Sequence, residues 1–328
     1  MSARVLPADD AASIDEAAAV LRRGGLVAFP TETVYGLGAD AFQPIAVARV
    51  FEVKARPSFD PLIVHLADAG ELSRVSPTND PRAAALAARF WPGPLTLVLP
   101  RQPQLPDLVT AGLDTVGVRV PAHPAARRLI AAAATPVAAP SANPFGYVSP
   151  TTAAHVAELL GPAVDLVLDG GACRVGVEST VLSLASETPV ILRPGGVPRE
   201  ALEDALGMHV GVAGRAERPL APGQLEKHYA TRTLLRILPG PAGPAPQGRV
   251  GLLAWREARA PGYTAAEVLA PDGSAETAAA RLFAALRRLD AAGLDLILAE
   301  PCDEAGLGHA IMDRLRRASA PARRARPR

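Results

Sequence analysis

Residues 26 to 38 read Leu26-Val27-Ala28-Phe29-Pro30-Thr31-Glu32-Thr33-Val34-Tyr35-Gly36-Leu37-Gly38 and join a short apolar run to a polar segment. The first four residues predict a buried strand, because short uninterrupted apolar runs are typical of strands inside a sheet. After Pro30, the hydroxyls and two glycines predict a loop with donors, acceptors and bare backbone at the strand end. A small ligand can approach such a loop, although the same residues also form plain turns.

The elements around this stretch predict an α/β or α+β domain of about 200 residues with a mixed sheet. A helix is expected over residues 13–23, with Ser13 as its N-cap and Gly24-Gly25 at its end. Ser149-Pro150 is expected to cap another helix at 151–160. Two more helices are predicted near 81–90 and at 124–134. The other predicted strands are 62–66, 95–99, 116–120, 136–139, 166–168, 179–184 and 190–192.

A smaller βαβ-type domain is predicted after residue 231. Hydrophobic periodicity disappears from 211 to 231, which indicates a linker. Two strands and two helices then follow, at 249–254, 274–292, 294–299 and 303–317. The expected domains are 1–208 (catalytic), 209–231 (linker or lid), 232–318 (C-terminal) and 319–328 (basic tail).

Length and charge limit the class of protein. A chain of 328 residues exceeds one typical core, and the formal charge of +1 gives no global attraction to nucleic acid. No apolar run reaches 18 residues, so no membrane span is expected. The first sixteen residues carry acids and no apolar segment of the secretory type, so a cytoplasmic protein is expected. The four arginines at 323–328 are most simply a solvated tail.

The chain has only two lysines, Lys54 and Lys227. Lys54 is followed two residues later by Arg56, and a compact ammonium beside a planar guanidinium suits a polyphosphate. A solvated charge pair in an ordinary loop is the alternative for this tract alone.

Arg119 stands at the end of an otherwise apolar strand, where burial requires an anionic partner. A substrate carboxylate and an internal carboxylate both meet this requirement. His65 follows the lysine tract on a predicted strand, where its position alone favours a core histidine over a hydrogen-bonding ligand residue.

Further hydroxyl and amide groups follow predicted strands. Ser141, Asn143 and Ser149 precede a helix N-terminus, which favours phosphate oxygens, although capping alone also explains Ser149. Ser179 and Arg193 add a hydroxyl and a guanidinium beside glycine turns.

Several familiar signatures are missing. The sequence has no GxxxxGK[ST], GxGxxG, GxSxG or HExxH motif, and its six histidines show no metal-ligand spacing, so no protein metal site is expected. The remaining groups suit positioning and charge stabilisation around a phosphoryl centre.

The tracts PTETVYGLG, KARPSFDPL, FWPGPLTLVL, SAN, SPTTA, GVEST and LRPGG, in this order, resemble the YrdC family. The linker APGQLEKHYAT and the second domain resemble the long, two-domain form of that family. The resemblance implies a twisted mixed sheet around a large concave cavity, followed by a smaller Rossmann-like domain. It also implies a nucleotidyltransferase that joins L-threonine, bicarbonate and ATP into threonylcarbamoyl-adenylate with release of pyrophosphate, for the N6-threonylcarbamoyladenosine of ANN-decoding tRNAs.

Site residues follow from the same resemblance. Lys54 and Arg56 would be catalytic, and Mg2+ would accompany ATP. The residues implied for ATP are Arg56, Asp60, Thr115, Ser141, Asn143, Ser149, Arg193 and Tyr229. Those implied for threonine are Thr33, His65, Arg119, the backbone of Ala139, and Ser179. Position 60 is often asparagine in this family, and Tyr229 would reach back over the nucleotide from the linker.

The resemblance further implies small-molecule substrates and a downstream threonylcarbamoyl transferase complex as partners, with weak RNA binding as a second possibility. An RNA-binding module is the competing class, although near-neutral charge and 4% aromatic residues count against it. A carbamoyl-adenylate-forming domain of the hydrogenase maturation type is a third reading, and the chain lacks the zinc-finger cysteines that accompany it.

Overall fold

The computed structural model describes residues 3–214, 220–224 and 228–320. It divides into two compact units. The first runs to Phe145 and again from Ser149 to Gln224, and the second takes Gly146–Val148 together with the described residues from 228 onward. The second unit thus includes a three-residue segment that interrupts the sequence of the first.

The first unit is built on a mixed sheet of eleven strands. They are β1 (Val5–Pro7), β2 (Val27–Phe29), β3 (Gly36–Asp40), β4 (Ile63–His65), β5 (Leu95–Pro100), β6 (Thr115–Arg119), β7 (Val137–Ala138), β8 (Leu166–Asp169), β9 (Thr180–Ser183), β10 (Val190–Arg193) and β11 (Gly211–Val212). Their order is β1-β8-β2-β3-β7-β4-β6-β5-β9-β10-β11. Parallel pairs such as β4 with β6 occur beside antiparallel pairs such as β5 with β6, which confirms the predicted mixed sheet.

The described residues of the first unit also form seven helices. They are α1 (Ala11–Arg22), α2 (Pro44–Lys54), α3 (Pro81–Phe90), α4 (Asp107–Thr110), α5 (Pro124–Ala133), α6 (Ala153–Leu160) and α7 (Arg199–Leu206), with 3-10 turns at Ala69–Arg74 and Gly161–Ala163. The helices α3 and α5 agree closely with the predictions, since a proline in the first turn marks each start.

Two predicted caps are wrong. Asp10 caps α1, and its carboxylate accepts from the backbone and hydroxyl of Ser13, which lies inside the helix. Thr152 caps α6, so Ser149 and Pro150 precede the helix. In each case a neighbouring side chain reaches the free backbone N–H groups, and sequence spacing alone does not decide which oxygen does so.

Three segments form elements that were not predicted from the sequence. Residues 36–40 form β3, because Gly36 and Gly38 let this strand approach its neighbours closely: a Cβ on Gly38 would lie 2.7 Å from both Phe29 Cε1 and Val137 Cγ1. Residues 44–54 form α2, whose last residue is Lys54. Gly211–Val212, at the start of the predicted linker, pairs with β10 as β11.

The second unit contains a four-stranded parallel sheet, which confirms the predicted βαβ organisation. Its elements are β12 (Leu234–Ile237), β13 (Val250–Ala254), β14 (Ala265–Val268), α8 (Ala275–Ala291), β15 (Leu296–Ala299) and α9 (Gly308–Ser319). The strand order is β12-β15-β13-β14. The last helix begins five residues later than predicted, since 303–307 are turns and loop.

Candidate active site

Lys54 is the buried cation at the end of α2, with 1% of its surface exposed. Its Nζ donates to the backbone carbonyl of Ser141 at 2.6 Å and to that of Asn143. Burial, reinforced by the charge of Arg56, holds the pKa of the ammonium well below its usual value. The lysine therefore joins the end of α2 to the segment that carries two of the predicted ATP residues.

Arg56 and Asp60 form a buried ion pair, with 2.9 Å between Nη2 and Oδ2. The guanidinium also donates to the carbonyls of Asp60 at 3.0 Å and Pro61 at 2.8 Å, which closes the turn between α2 and β4. Burial raises the pKa of the Asp60 carboxyl, while Arg56, Lys54 and Arg193 act in the opposite direction. The predicted catalytic and nucleotide residues of this tract thus share one electrostatic environment.

Arg193, at the end of β10, connects the two predicted halves of the site. Its Nη2 donates to the carbonyl of Ser179 at 2.9 Å and to its hydroxyl at 3.1 Å. The Ser179 hydroxyl also lies 2.8 Å from Oγ1 of Thr96 on β5. Nη1 of Arg193 donates to the carbonyl of Pro222 at 3.2 Å.

Ser149 lies fully buried and donates its hydroxyl to Oε1 of Glu178 at 2.6 Å. This hydrogen bond places a carboxylate beside a predicted ATP residue. Asn143, also buried, donates its amide to the carbonyl of Pro144 at 2.8 Å. Glu178 belongs to the GVEST tract, from which only Ser179 was predicted to belong to the site.

Arg119 ends β6 and is 3% exposed on its side chain. Its Nη1 donates to the hydroxyl of Thr33 at 2.9 Å, and its Nη2 lies 3.4 Å from Oε2 of Glu32. The structure therefore brings together two residues that were predicted to bind L-threonine. It also shows that an internal carboxylate, one of the two partners considered for Arg119, lies beside the guanidinium. Glu32, the acid of the PTET tract, was not among the predicted site residues.

His65 ends β4 directly beside Arg119, its register partner on β6. Its Nδ1 lies 3.2 Å from the carbonyl of Ile63, and its ring packs edge-on against Phe29. Burial and the nearby Arg119 charge lower the pKa of the imidazole to about 3, so the ring is neutral near pH 7. Ala139 follows β7 and donates its backbone N–H to the same Ile63 carbonyl at 2.9 Å.

Thr115 begins β6 and lines a small cavity in the first unit. The other lining residues are Pro61, Leu62, Ile63, Val98, Thr110, Val116, Gly117, Val181, Leu220, Ala221 and Pro222. Ala221 is 2% exposed and packs with Ile63, Val98 and Val181 in one apolar cluster. Residues 220–222, predicted as linker, thus form part of the cavity wall beside a predicted ATP residue.

Tyr229 belongs to the second unit, where it is fully buried. Its ring stacks on Phe283 at 5.4 Å between centroids, and the Arg314 guanidinium lies 5.0 Å from its centroid. Its backbone is left-handed, with φ of 62°. Lys227, the second lysine, and residues 321–328 of the basic tail lie outside the described residues.

Two further features are absent from the residues that the structure describes. No helix there combines the length and the apolarity that crossing a membrane requires. No group of three or more His, Cys, Asp and Glu side chains in that part of the chain is arranged to hold a metal ion.

The chain matches two family models in succession. The model of the Sua5, YciO and YrdC proteins, described as "Telomere recombination", matches residues 19–195. The model described as "Threonylcarbamoyl-AMP synthase, C-terminal domain" matches residues 197–320.

Relatives of similar length match nearly the whole chain. The chain is 46% identical to the threonylcarbamoyl-AMP synthase of Pyrococcus abyssi, over 92% of this chain and 93% of that protein. It is also 46% identical to the threonylcarbamoyl-AMP synthase of Bacillus subtilis, over 93% of this chain and 92% of that protein. The crystal structure of P. abyssi Sua5 complexed with L-threonine superposes with a TM-score of 0.87 at 42% identity, covering 93% of this chain and 94% of that one.

Proposed function

The chain belongs to the family of Sua5, YciO and YrdC proteins, in the two-domain form, and we propose that it is a threonylcarbamoyl-AMP synthase. The enzyme joins L-threonine, bicarbonate and ATP into threonylcarbamoyl-adenylate and releases pyrophosphate. The observation that carries this proposal is the contact of Arg193 with Ser179, together with 46% identity to two synthases over nine-tenths of the chain. That contact joins residues expected to bind the two substrates.

The threonine half is assigned to Thr33, His65, Arg119, the backbone of Ala139, and Ser179. The guanidinium of Arg119 suits a carboxylate, since it is always charged and its donors form a planar fork. Neutral His65 and the Thr33 hydroxyl suit the polar end of a small side chain. Several of these groups lie at the ends of β4, β6 and β7, where rigid strands fix their positions.

The ATP half is assigned to the remaining predicted residues, with Lys54, Arg56 and Arg193 as its cations. The residues assigned to ATP are Arg56, Asp60, Thr115, Ser141, Asn143, Ser149, Arg193 and Tyr229. The buried cations offset the repulsion between the threonine carbamate and the triphosphate when the carbamate oxygen attacks the α-phosphorus. Mg2+ enters with ATP as part of the substrate and stabilises the charge that develops on pyrophosphate.

The domains are proposed as a catalytic domain at 1–208, a linker at 209–231, a C-terminal domain at 232–318 and a tail at 319–328. The adenylate passes to a threonylcarbamoyl transferase complex that modifies tRNA, which places the enzyme in the cytoplasm. Any RNA binding by this chain itself is weak, in keeping with its formal charge of +1.

Mass spectrometry tests this function directly. Purified protein is incubated with MgATP, labelled bicarbonate and each amino acid in turn. A labelled adenylate with threonine and not with valine or alanine is expected, with pyrophosphate released in equal amount. Pyrophosphate release that does not depend on threonine would overturn the assignment, and tight salt-sensitive binding of double-stranded RNA in a gel shift would favour the RNA-binding alternative.

A further inference from the structure

Glu32 and Arg119 form a buried ion pair, and each side chain has one polar atom that makes no hydrogen bond to the described residues. Their side chains are 4% and 3% exposed. Oε2 of Glu32 accepts from the backbone N–H of Ala122 at 2.9 Å and lies 3.4 Å from Nη2 of Arg119. Oε1 of Glu32 and Nε of Arg119 are buried and have no hydrogen-bond partner among the residues that the structure describes. Because buried polar groups are nearly always hydrogen-bonded, the two atoms indicate a ligand that brings one donor and one acceptor.

Charge balance narrows the class of that ligand. Arg119 contributes one positive charge and Glu32 one negative charge, and His65 beside Arg119 is neutral because burial lowers its pKa to about 3. The pair is therefore formally neutral. A lone carboxylate would leave an uncompensated negative charge there, whereas a zwitterion leaves none.

We propose that Glu32 binds the α-ammonium of the amino-acid substrate and then accepts its proton, while Arg119 binds the α-carboxylate. The inference rests on the proposed function and adds to it a catalytic residue that none of the predicted site residues supplies. Thr33, the next residue in the chain, accepts a hydrogen bond at its hydroxyl from Nη1 of the same arginine. One short segment thus presents a carboxylate and a hydroxyl to a molecule that needs both.

Carbamate formation balances with threonine, bicarbonate and the Glu32 carboxylate alone. The ammonium gives one proton to the Glu32 carboxylate, which leaves a neutral amine and a carboxylic acid. The amine lone pair forms a C–N bond to the bicarbonate carbon, and a C–O bond of bicarbonate breaks. The departing hydroxide takes the second amine proton and leaves as water, so that the carbamate anion remains. Glu32 returns its proton to solvent when the product leaves.

The groups around Glu32 do not compete for this role. The charge of Glu32 acts on His123 at the start of α5 and on Cys173, as well as on Arg119. Burial lowers the pKa of the His123 imidazole and raises that of the Cys173 thiol to about 12, so both are uncharged near pH 7. Glu32 is thus the base that stands beside the Arg119 guanidinium.

Calorimetry with two ligands tests the inference. L-Threonine is compared with 2,3-dihydroxybutanoate, which has a hydroxyl in place of the amine. The unmodified protein is expected to bind threonine at least about tenfold more tightly, since a hydrogen bond between charged groups is worth more than this factor. In Glu32→Gln, which keeps the acceptor for Ala122 and removes the charge, this preference is expected to fall to about threefold or less. An unchanged preference in the folded variant would overturn the inference.

Asp40→Asn is the matched control. Asp40 is a buried carboxylate at the end of β3 that accepts from Phe42 and Thr135, so its variant should keep the full preference for threonine. If Glu32→Gln does not fold, the unmodified protein still decides. Threonine binding at pH 7 in buffers of different ionisation enthalpy should release no proton, and release of one proton would contradict a zwitterion bound at Glu32. A protein that binds neither threonine nor ATP would instead refute the proposed function.

Discussion

Arg193 donates through Nη2 to Oγ of Ser179 at 3.1 Å, so a residue assigned to ATP touches a residue assigned to threonine. Because the two side chains share a buried hydrogen bond, their contributions to ligand binding should not be independent. Ser179→Ala should reduce threonine affinity more than ATP affinity. Arg193→Lys should reduce ATP affinity more than threonine affinity. In a double-mutant cycle we expect a coupling energy of about 0.5–3 kcal/mol for ATP binding. Additive effects on calorimetric affinities would show that the contact carries no coupling.

Lys54→Met is expected to affect both stability and ATP binding. The substitution removes the donor for the carbonyls of Ser141 and Asn143, and each buried acceptor left without a partner costs about 1–3 kcal/mol. Loss of the cation should also weaken ATP binding more than threonine binding. Urea unfolding and calorimetry measure the two effects separately. Full ATP-dependent activity in this variant would remove the catalytic role of Lys54.

His65 should make the protein less stable in mild acid. Its pKa is lowered to about 3 by burial and by Arg119, whereas an unfolded histidine titrates near 6.5. Between these values the unfolded chain binds more protons, so the free energy of unfolding contributed by this group falls as the pH falls. From pH 7 to pH 5 the loss should be about 2 kcal/mol. Urea unfolding should show a smaller loss in His65→Asn, and an imidazole NMR signal that titrates near pH 6.5 would contradict the argument.

Gly195→Ala should disturb the site without touching a polar side chain. A Cβ at this position would lie 2.3 Å from the carbonyl oxygen of Glu178 and 2.4 Å from the backbone of Ser179 and Thr180. Because these atoms are backbone, the main chain must shift, at a cost of about 1–3 kcal/mol or more. Gly240→Ala is the control, since a Cβ there meets nothing within 4 Å. Equal melting temperatures for the two variants would contradict the predicted crowding.

Tyr229→Ala should destabilise the second unit, because the ring is fully buried against Phe283 and Arg314. Removing a buried aromatic ring costs about 3–5 kcal/mol. Tyr229→Phe keeps the ring and removes the hydroxyl, so it separates packing from any nucleotide contact. If Tyr229 contacts ATP through its hydroxyl, the phenylalanine variant should bind ATP more weakly at nearly unchanged stability. Equal ATP affinity would leave Tyr229 with a packing role alone.

Strands and helices with a strong local signal were predictable. Proline in the first turn marked α3 and α5, and the uninterrupted apolar run marked β2. The helix α2 and the strand β3 were not predicted. In β3 two glycines leave room for side chains of β2 and β7 that a Cβ would crowd. The need for glycine at these positions is evident only once the three strands are paired.

The sequence by itself determined the family, the mixed sheet, the parallel second domain and the tracts from which the site is built. Each of these follows from local composition and from motifs in order along the chain. Only the tertiary structure decided which groups meet: that Lys54 binds the carbonyls of residues 141 and 143, that Arg193 reaches Ser179, and that the internal partner of Arg119 is Glu32. The physical reason is that burial and hydrogen bonding join these residues across separations of up to 89 positions. Strand order, which periodicity does not encode, decides which of them become neighbours.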